Sequence, residues 1–230
     1  MTRHLITGAG SGIGAAVADV LHERGDDLVL LARSEDRARE LAERYDGAAT
    51  LVADLADTAS MAAVDVPGAL DSLLHVAGVV DLAPVAELTP EDLREQVDVN
   101  LVAPVLLTQA CLPALRRARG LVVFVNSSAG LVASPAWGAY AASKFGLRAV
   151  ADSLRAEELE HGVRVTTVFP SRTATPMQEK VHEQEGRVYD STKWLRPETV
   201  ADTILHVLDL TPDATIPEVS VRPPAPRPGS

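Results

Sequence analysis

A glycine-rich turn near the start of the chain restricts the fold more than any other feature. A short apolar strand, Leu5 to Thr7, breaks into a turn that holds four glycines in seven residues, Gly8 to Gly14. A helical pattern of small and apolar residues follows at once, from Ala15 to Leu21. Small residues let backbone N–H groups approach a phosphate, and the N-terminus of the following helix favours an anion. Together the strand, turn and helix predict a phosphate-binding unit.

The glycine spacing departs from the dinucleotide pattern G-x-G-x-x-G, because Ile13 stands where the last glycine would be. The pattern that fits is T-G-x-x-x-G-x-G, formed by Thr7, Gly8, Gly12 and Gly14. A glycine-rich turn without a ligand is the alternative. The residues of this segment that we predict to contact a cofactor are Gly8, Ser11, Gly12, Ile13 and Gly14.

The end of the second predicted strand, Asp27 to Ala32, indicates which dinucleotide the turn would hold. In a Rossmann unit, an acid at this point hydrogen-bonds the ribose 2′-hydroxyl of NAD, whereas a nearby arginine accommodates the 2′-phosphate of NADP. Ala32 stands where the acid is expected and Arg33 follows it, with Arg37 placed to assist from the next helix. The pattern favours NADP(H); the alternative is that Arg33 is a solvated surface residue.

Strand and helix patterns alternate along the whole chain. Further strands are predicted at residues 50–54, 73–78, 121–125, 163–169 and 217–222. This alternation predicts an α/β fold of the Rossmann type, with a doubly wound, mainly parallel seven-stranded sheet and helices on both faces. We expect one domain, 1–222, and a Pro-rich frayed tail, 223–230.

The segment 177–196 is polar and charged, and it has little periodicity. We interpret it as a mobile lid over the substrate, with a plain surface loop as the alternative.

Tyr140 and Lys144 are candidates for the chemistry, because residues four apart share one face of a helix. An ammonium beside a phenol favours the phenolate and lowers the tyrosine pKa from its ordinary value of about 10. Such a tyrosine can protonate a carbonyl oxygen or take a proton from an alcohol. Ser127, at the end of the fifth strand, can hold the same oxygen. Alone, this spacing is a weak signal, since many surface pairs share it.

Three further residues in apolar patterns have specific expectations. Asn100 lies in a mostly apolar helix, and a buried asparagine needs partners. It either satisfies its own bent helix or holds a water behind the lysine. Pro104 predicts a kink or a junction between two helices. His75, on the fourth strand, is interpreted as structural.

Composition excludes several classes of function. A net charge of −11 argues against nucleic acid or an anionic membrane as the main partner. Cys111 is the only cysteine, so no intrachain disulfide forms and a cytoplasmic location is expected. The first residues reach glycine too soon for a signal peptide, and no apolar run looks long enough to cross a bilayer. The six histidines are scattered, so no metal site is predicted.

Taken in order, these motifs resemble those of the short-chain dehydrogenase/reductase family in its short, single-domain form. The resemblance covers nearly the whole chain. It rests on Thr7, Gly8, Gly12, Gly14, Asp54, Ala77, Gly78, Asn100, Ser127, Tyr140, Lys144, Pro170 and Thr175.

The resemblance implies catalytic roles. Tyr140 would be the general acid/base, Lys144 would lower its pKa and bind the nicotinamide ribose, and Ser127 would polarise the substrate carbonyl. Asn100 would hold a water that links Lys144 to solvent. The implied activity is NADP(H)-dependent interconversion of a ketone or aldehyde and an alcohol, with hydride leaving the pro-S face. Alternatives are reduction of a C=N bond or a pterin-type ketone, and a dinucleotide-sensing protein without turnover.

The resemblance also implies the remaining cofactor contacts and an assembly. Asp54 and Leu55 would contact adenine, and Thr175 would contact the nicotinamide carboxamide. Ala77, Gly78 and Pro170 complete the implied cofactor site. The implied partners are a small-molecule substrate and further copies of the chain, in a homodimer or homotetramer.

Two residues depart from the family pattern, and several others suggest a substrate pocket. Val76 replaces an asparagine that ties neighbouring strands, which puts local stability in question. Ser171 replaces a glycine and is expected to restrict the backbone beside the nicotinamide. Arg172 either meets an acidic group of the substrate or caps the lid. The residues suggesting an apolar substrate pocket are Val79, Leu82, Trp137, Met177 and Trp194, with a core or interface position as the alternative for Trp137.

Overall fold

The protein's structure, a computed structural model, describes residues 2–224, without the side chains of residues 62 and 63. The strands are β1 (Arg3–Thr7), β2 (Asp27–Ala32), β3 (Ala49–Val52), β4 (Ser72–His75), β5 (Leu121–Val125), β6 (Arg164–Pro170) and β7 (Glu218–Val221). The α-helices are α1 (Gly12–Glu23), α2 (Glu35–Arg44), α3 (Pro90–Val97), α4 (Ala103–Ala118), α5 (Gly138–Glu157), α6 (Pro176–Gln184) and α7 (Pro197–Leu208).

The strands form one sheet in the order β3-β2-β1-β4-β5-β6-β7, and each neighbouring pair is parallel. This confirms the doubly wound, Rossmann-type fold predicted from the sequence. Because the strands all point the same way, their carboxyl ends meet at one edge. The winding direction reverses between β1 and β4, and such a switch point is where open α/β sheets bind ligands.

Alternate residues of the central strands face opposite layers of helices. On β1, Ile6 packs in one core layer with Val17 of α1 and Ile204 of α7. Its neighbour Leu5 packs in the other layer with Leu107 of α4. All five side chains are fully buried. The sheet is therefore covered on both faces, and only its carboxyl edge is left for a site.

The helices α3 and α4 form one continuous run, interrupted by a π-helical turn at Asp98–Val102. The N–H of Ala103 reaches back five residues to the carbonyl of Asp98. Pro104, which has no N–H to donate, follows at once. The prediction of a junction near Pro104 is confirmed.

The same run, 90–118, is the one helix among residues 2–224 that is long and apolar enough to cross a membrane by length and composition. The sequence-based statement that no apolar run reaches this length was therefore wrong. Leu107, Cys111 and Leu115 of this run are fully buried in the core layer that also contains Leu5. These three residues are thus part of the hydrophobic core.

Two strands end earlier than predicted, β3 at Val52 and β4 at His75. Each stops where its partner stops, because β2 ends at Ala32 and β1 ends at Thr7. Asp54, Ala77 and Gly78 consequently lie in loops beyond the sheet edge, facing the cleft rather than pairing.

The segment predicted as a lid contains a helix that its sequence pattern did not reveal. Thr175 caps the start of α6 by accepting a hydrogen bond from the N–H of Gln178. Two of the three buried residues of α6 are polar, Gln178 and His182, and only Val181 is apolar. The buried face therefore carries no apolar stripe, which is why periodicity failed. The predicted frayed tail lies outside the described residues, apart from Pro223 and Pro224.

Candidate active site

The β1–α1 turn has no room for side chains. Gly8 takes a φ of +77°, and a Cβ there would lie 2.8 Å from the backbone nitrogen of Ala77. A Cβ on Gly14 would lie 2.1 Å from the carbonyl oxygen of Gly8. The turn packs as closely as its backbone allows, and the first N–H groups of α1 have no acceptor within the helix. These donors fit a nucleotide phosphate.

Thr7 joins this turn to the end of β4. Its Oγ1 accepts hydrogen bonds from the N–H groups of Val76 and Ala77, each at 3.1 Å. The side chain of Val76 packs against the core. An asparagine at position 76 would be expected to connect neighbouring strands. Here β1 and the end of β4 are connected by the Thr7 hydroxyl and the backbone N–H groups of Val76 and Ala77.

Two arginines and one acid line the cleft beyond the ends of β2 and β3. Arg33 is exposed, lines the cleft, and has no ion-pair partner within the part of the chain that the structure describes. Arg37 also lines the cleft but pairs with Glu40. Asp54 accepts a hydrogen bond from the N–H of Ala56 at 2.9 Å, so its carboxylate is fixed in its own turn. Arg33 is therefore the cation most available to a phosphate.

The predicted catalytic side chains meet at the carboxyl end of β5. Tyr140 and Lys144 lie one turn apart on α5, with Lys144 Nζ 5.7 Å from the centre of the Tyr140 ring. Ser127, two residues beyond β5, forms a hydrogen bond with the Tyr140 side chain. Lys144 Nζ also donates to the carbonyl oxygen of Val125 at 3.2 Å. The three side chains form one contact group at the centre of the cleft.

Burial changes the acidity of two of these groups. It raises the pKa of Tyr140 to about 12, against the hydrogen bond from Ser127, which acts to lower it. It lowers the pKa of Lys144 to about 8. The Tyr140 pKa therefore lies above its ordinary value, because the loss of water outweighs the effect of Ser127. A further positive charge in the cleft is needed to lower it.

Asn100 lies in the π-helical turn and is fully buried. Its Oδ1 accepts from the N–H of Val79 at 2.9 Å, and its Nδ2 donates to the Val79 carbonyl at 2.8 Å and to Ser143 Oγ at 3.1 Å. Its partners are thus not those of its own helix. A Cβ on Gly78 would lie 3.0 Å from Asn100 Oδ1 and 3.7 Å from Lys144 Nζ. Gly78 separates the asparagine from the lysine, and the predicted water link between them remains a prediction.

Comparison with known proteins agrees with this geometry. The sequence model of a family described as short chain dehydrogenase matches residues 3–186. An uncharacterized oxidoreductase of Staphylococcus epidermidis is 30% identical over 226 residues, covering 95% of this chain and 96% of that protein. The chain belongs to the short-chain dehydrogenase/reductase family.

Two further proteins are similar to this chain over most of its length. Dehydrogenase/reductase SDR family member 7B of Bos taurus is 34% identical over 225 residues, 89% of this chain and 69% of that protein. The X-ray structure of an alcohol dehydrogenase from the archaeon Thermococcus sibiricus, complexed with 5-hydroxy-NADP, superposes with a TM-score of 0.83. It covers 100% of both chains at 26% identity.

In this short-chain dehydrogenase/reductase, the wall beyond Tyr140 is aromatic. The Trp137 ring meets the Tyr140 ring edge-on at 5.7 Å. The Arg172 guanidinium lies over the ring of Trp137 at 5.5 Å and over that of Trp194 at 5.4 Å. Trp137 lines the cleft and also packs against the small buried cluster that contains Tyr140, so it has features of both a pocket wall and a core residue.

The charge of Arg172 is already matched within the protein. It forms a two-point ion pair with Glu185, just beyond α6, with Nη1 2.8 Å from Oε2. This pairing lowers the pKa of Glu185. Of the two roles considered for Arg172, binding the lid is the one seen.

A second polar contact holds α6 from the opposite side. Asp81, in the loop after β4, binds Lys180 Nζ at 2.8 Å and Gln184 Nε2 at 2.7 Å. The segment around α6 is therefore held by ion pairs to the loop after β4, through Asp81, and to the loop after β6, through Arg172.

Ser171 causes no backbone strain beside the cleft. The non-glycine residues with positive φ in the described chain are Arg119 and Ala136, so Ser171 does not need the conformational freedom of glycine. Its N–H donates to the carbonyl of Val221 at 2.9 Å, which extends the pairing of β6 with β7.

One cleft of about 1190 Å³ contains the predicted cofactor residues. Those that line it, with Ser127, which is predicted to be catalytic, are Gly8, Ser11, Gly12, Ile13, Gly14, Arg33, Asp54, Leu55, Ala77, Gly78, Tyr140, Lys144, Pro170 and Thr175. Of the predicted substrate residues, Val79, Trp137 and Met177 line it, whereas Leu82 and Trp194 do not. Within residues 2–224 no group of three His, Cys, Asp or Glu side chains could hold a metal ion.

Sequence reasoning missed two residues that shape this site. Asn126 joins β5 to α5, and Glu185 neutralises Arg172. The position of Asn126 directly before Ser127 was a usable signal. Nothing in the sequence linked Glu185 to Arg172, because the helix that brings them together has no apolar stripe.

Proposed function

We propose that this protein is an NADP(H)-dependent oxidoreductase that interconverts a ketone or aldehyde with the corresponding alcohol. The observation that carries the proposal is the contact group of Ser127, Tyr140 and Lys144 in the cleft that begins at the glycine turn. A nucleotide phosphate on that turn places its nicotinamide end toward these side chains. Bound NADPH supplies the hydride for the carbonyl carbon.

The chain's own residues hold and protonate the carbonyl oxygen. The hydroxyl of Tyr140 gives its proton to that oxygen, and the Ser127 hydroxyl donates a second hydrogen bond to it. A high tyrosine pKa keeps the proton in place until the substrate arrives. Lys144, at 5.7 Å from the ring, stabilises the phenolate that remains. The reverse sequence oxidises an alcohol.

The preference for NADP(H) rests on Arg33. The residue before it, Ala32, is buried and offers no carboxylate to a ribose 2′-hydroxyl, whereas the Arg33 guanidinium is exposed and unpaired within the described chain. A 2′-phosphate would give it a charge-assisted partner. The Thermococcus sibiricus enzyme, with 5-hydroxy-NADP bound, is consistent with this choice.

The substrate that this cleft suits is uncharged and largely apolar. Arg172 is neutralised by Glu185, and Lys180 by Asp81, so neither presents a free charge to a ligand. The same cleft is lined by the aromatic ring of Trp137 and the apolar side chains of Val79 and Met177. A bulky neutral ketone buries apolar area here without displacing an ion pair.

The proposal extends to assembly and location. We expect a homodimer or homotetramer, because members of the family commonly act as oligomers. A cytoplasmic location follows from the single cysteine, Cys111, which is buried with its pKa raised to about 12. A buried thiol of that acidity stays protonated and unreactive.

The test is NADPH oxidation, followed by absorbance, with a panel of neutral aryl ketones, aliphatic aldehydes, cyclic imines and pterin-type ketones. We expect turnover with neutral ketones or aldehydes and a higher kcat/KM with NADPH than with NADH. If only imines were turned over, the protein would be a C=N reductase rather than a carbonyl reductase. Tight NADPH binding without turnover of any compound would favour a dinucleotide-sensing role.

A further inference from the structure

The stretch 125–127 touches the proposed catalytic group at every residue. Val125 accepts a hydrogen bond from Lys144 Nζ, and Ser127 bonds the Tyr140 side chain. The residue between them, Asn126, is 5% exposed, lines the cleft and bonds the backbone of Lys144. Its side chain is a buried amide beside the site that the proposed chemistry does not use.

The Asn126 amide joins strand β5 to helix α5. Its Nδ2 donates to the backbone carbonyl of Lys144 at 2.9 Å, and its Oδ1 accepts from the N–H of Ser127 at 2.8 Å. The carbonyl of Lys144 has two lone pairs, so it can accept this bond in addition to its helical one. One side chain thereby holds the backbone of both the serine and the lysine.

Gly130 supplies the space for this contact. A Cβ at that position would lie 2.3 Å from Asn126 Oδ1 and 3.0 Å from the carbonyl oxygen of Lys144. The backbone N–H of Asn126 is itself fixed to the carbonyl of Val168 at 2.8 Å. The amide is thus enclosed between β6, α5 and the loop after β5, with no freedom to turn.

We propose that Asn126 is a positioning residue for catalysis, which fixes the position of Tyr140 and Lys144, both on α5, relative to Ser127. Lys144 is then held at both ends by consecutive residues, its Nζ by Val125 and its backbone by Asn126. A small shift of α5 along β5 would move Lys144 and Tyr140 together but away from Ser127. The inference rests on the proposed function only in calling these groups catalytic.

The test compares Asn126→Ala with Thr166→Val. Thr166 is a matched control, because its fully buried Oγ1 also donates to a backbone carbonyl, that of Ile216 at 2.7 Å, away from the cleft. We expect Asn126→Ala to lower kcat between about 10- and 100-fold, with KM and NADPH affinity changed far less, since misplacement of reacting groups costs rate rather than binding. Thr166→Val should leave kcat unchanged at a similar loss in Tm.

Asn126→Asp removes the hydrogen bond to Lys144 and keeps the one from Ser127. It also serves as a second variant if Asn126→Ala does not fold. Its size is retained, and one oxygen still accepts from the N–H of Ser127, but the other meets the Lys144 carbonyl without a proton to donate. We expect kcat to fall as in Asn126→Ala. Wild-type kcat in either folded variant, or an equal loss in Thr166→Val, would overturn the proposal.

A second readout does not depend on activity. The chain has three lysines, at positions 144, 180 and 193, so protein labelled with ¹³C at lysine Cε gives a resonance for Lys144 that Lys144→Met identifies. We expect Asn126→Ala to shift this resonance and its titration, and Thr166→Val to leave both in place. An unshifted Lys144 resonance would overturn the positioning role, even if no substrate were found. Inactivity of the wild-type protein with a normal shift would count against the proposed function alone.

Discussion

The ammonium of Lys144 and the ring of Tyr140 lie 5.7 Å apart in a space that water barely reaches, with 3% and 6% of the two residues exposed. Neither residue makes an ion pair with a carboxylate among the described residues. The ammonium of Lys144 is thus buried without a carboxylate partner, and it donates a hydrogen bond to the carbonyl oxygen of Val125. This arrangement costs stability in the protein itself, and that cost makes the site's role measurable.

Replacing Tyr140 with phenylalanine should remove the proton donor and little else. We expect Tyr140→Phe to reduce kcat by about 100- to 10,000-fold, the range for a general acid, with NADPH affinity nearly unchanged. Tyr45→Phe is the matched control, since Tyr45 is also buried but bonds Asp19 away from the cleft. Initial rates and fluorescence titration with NADPH measure the two effects. Full activity in Tyr140→Phe would exclude the acid/base role.

Replacing Lys144 with methionine should stabilise the fold at neutral pH. The folded-state pKa of about 8 lies below the ordinary value of 10.5, so burial of the charged form is unfavourable at pH 7. The shift corresponds to at most roughly 3 kcal/mol, less the lost bond to Val125. Urea unfolding at pH 7 should therefore give a higher free energy of unfolding for Lys144→Met.

The difference in unfolding free energy between Lys144→Met and wild type should depend on pH. Between pH 8 and 10.5 the unfolded chain binds the Lys144 proton and the folded chain does not, so wild-type stability rises with pH through this window. The advantage of Lys144→Met should shrink over the same window. Lys180→Met, at an exposed lysine paired with Asp81, serves as control and should show no such trend. A Lys144→Met protein that is less stable than wild type at pH 7 contradicts the assignment.

Removing the Arg33 side chain should affect one cofactor selectively. We expect Arg33→Ala to weaken NADPH binding by about 1.5 to 3 kcal/mol, the range for a hydrogen bond to a charged group, and to leave NADH almost unchanged. Arg39→Ala is the control, because Arg39 lies on the same helix-bearing segment, pairs with Asp36 and is absent from the cleft lining. Dissociation constants from fluorescence titration measure the difference. Equal losses for both cofactors would remove the basis for NADP preference.

Neutralising Glu185 should change the charge that the substrate meets. In Glu185→Gln the Arg172 guanidinium loses its carboxylate partner and becomes available to an acidic substrate. We expect kcat/KM for keto acids to rise about tenfold or more relative to the matching neutral ketones, since a charge-assisted pair replaces an unpaired cation. Glu183→Gln makes the same charge change at an exposed position on α6 and should leave the ratio as it is. A falling ratio in Glu185→Gln would refute the role of this pair in selectivity.

The order of motifs in the sequence predicted the parallel sheet and the residues that line the cleft. The prediction succeeded where a residue's role depends on its neighbours along the chain, as in the Thr7–Gly14 turn and the Tyr140–Lys144 pair. It did not reveal α6 at the start of the predicted lid segment, because α6 buries Gln178 and His182 rather than an apolar stripe.

Acidity and distant pairing were equally beyond the sequence. The raised pKa of Tyr140 depends on how much water the folded cleft excludes, which spacing does not encode. The bond from Asn126 to the Lys144 carbonyl joins residues 18 apart through a three-dimensional contact. Local patterns gave no measure of either quantity.

The π-helical turn at Asp98–Val102 has a consequence for how this chain can change. A π-helical turn contains one residue more than an α-helical turn, and the orientation of Asn100 relative to Val79 depends on that extra residue. Loss of a single codon there would let the helix close into regular α-helical turns and rotate everything on one side of it by about 100° relative to the other. The segment can therefore tolerate exchange of many of its side chains, but not a change in its length.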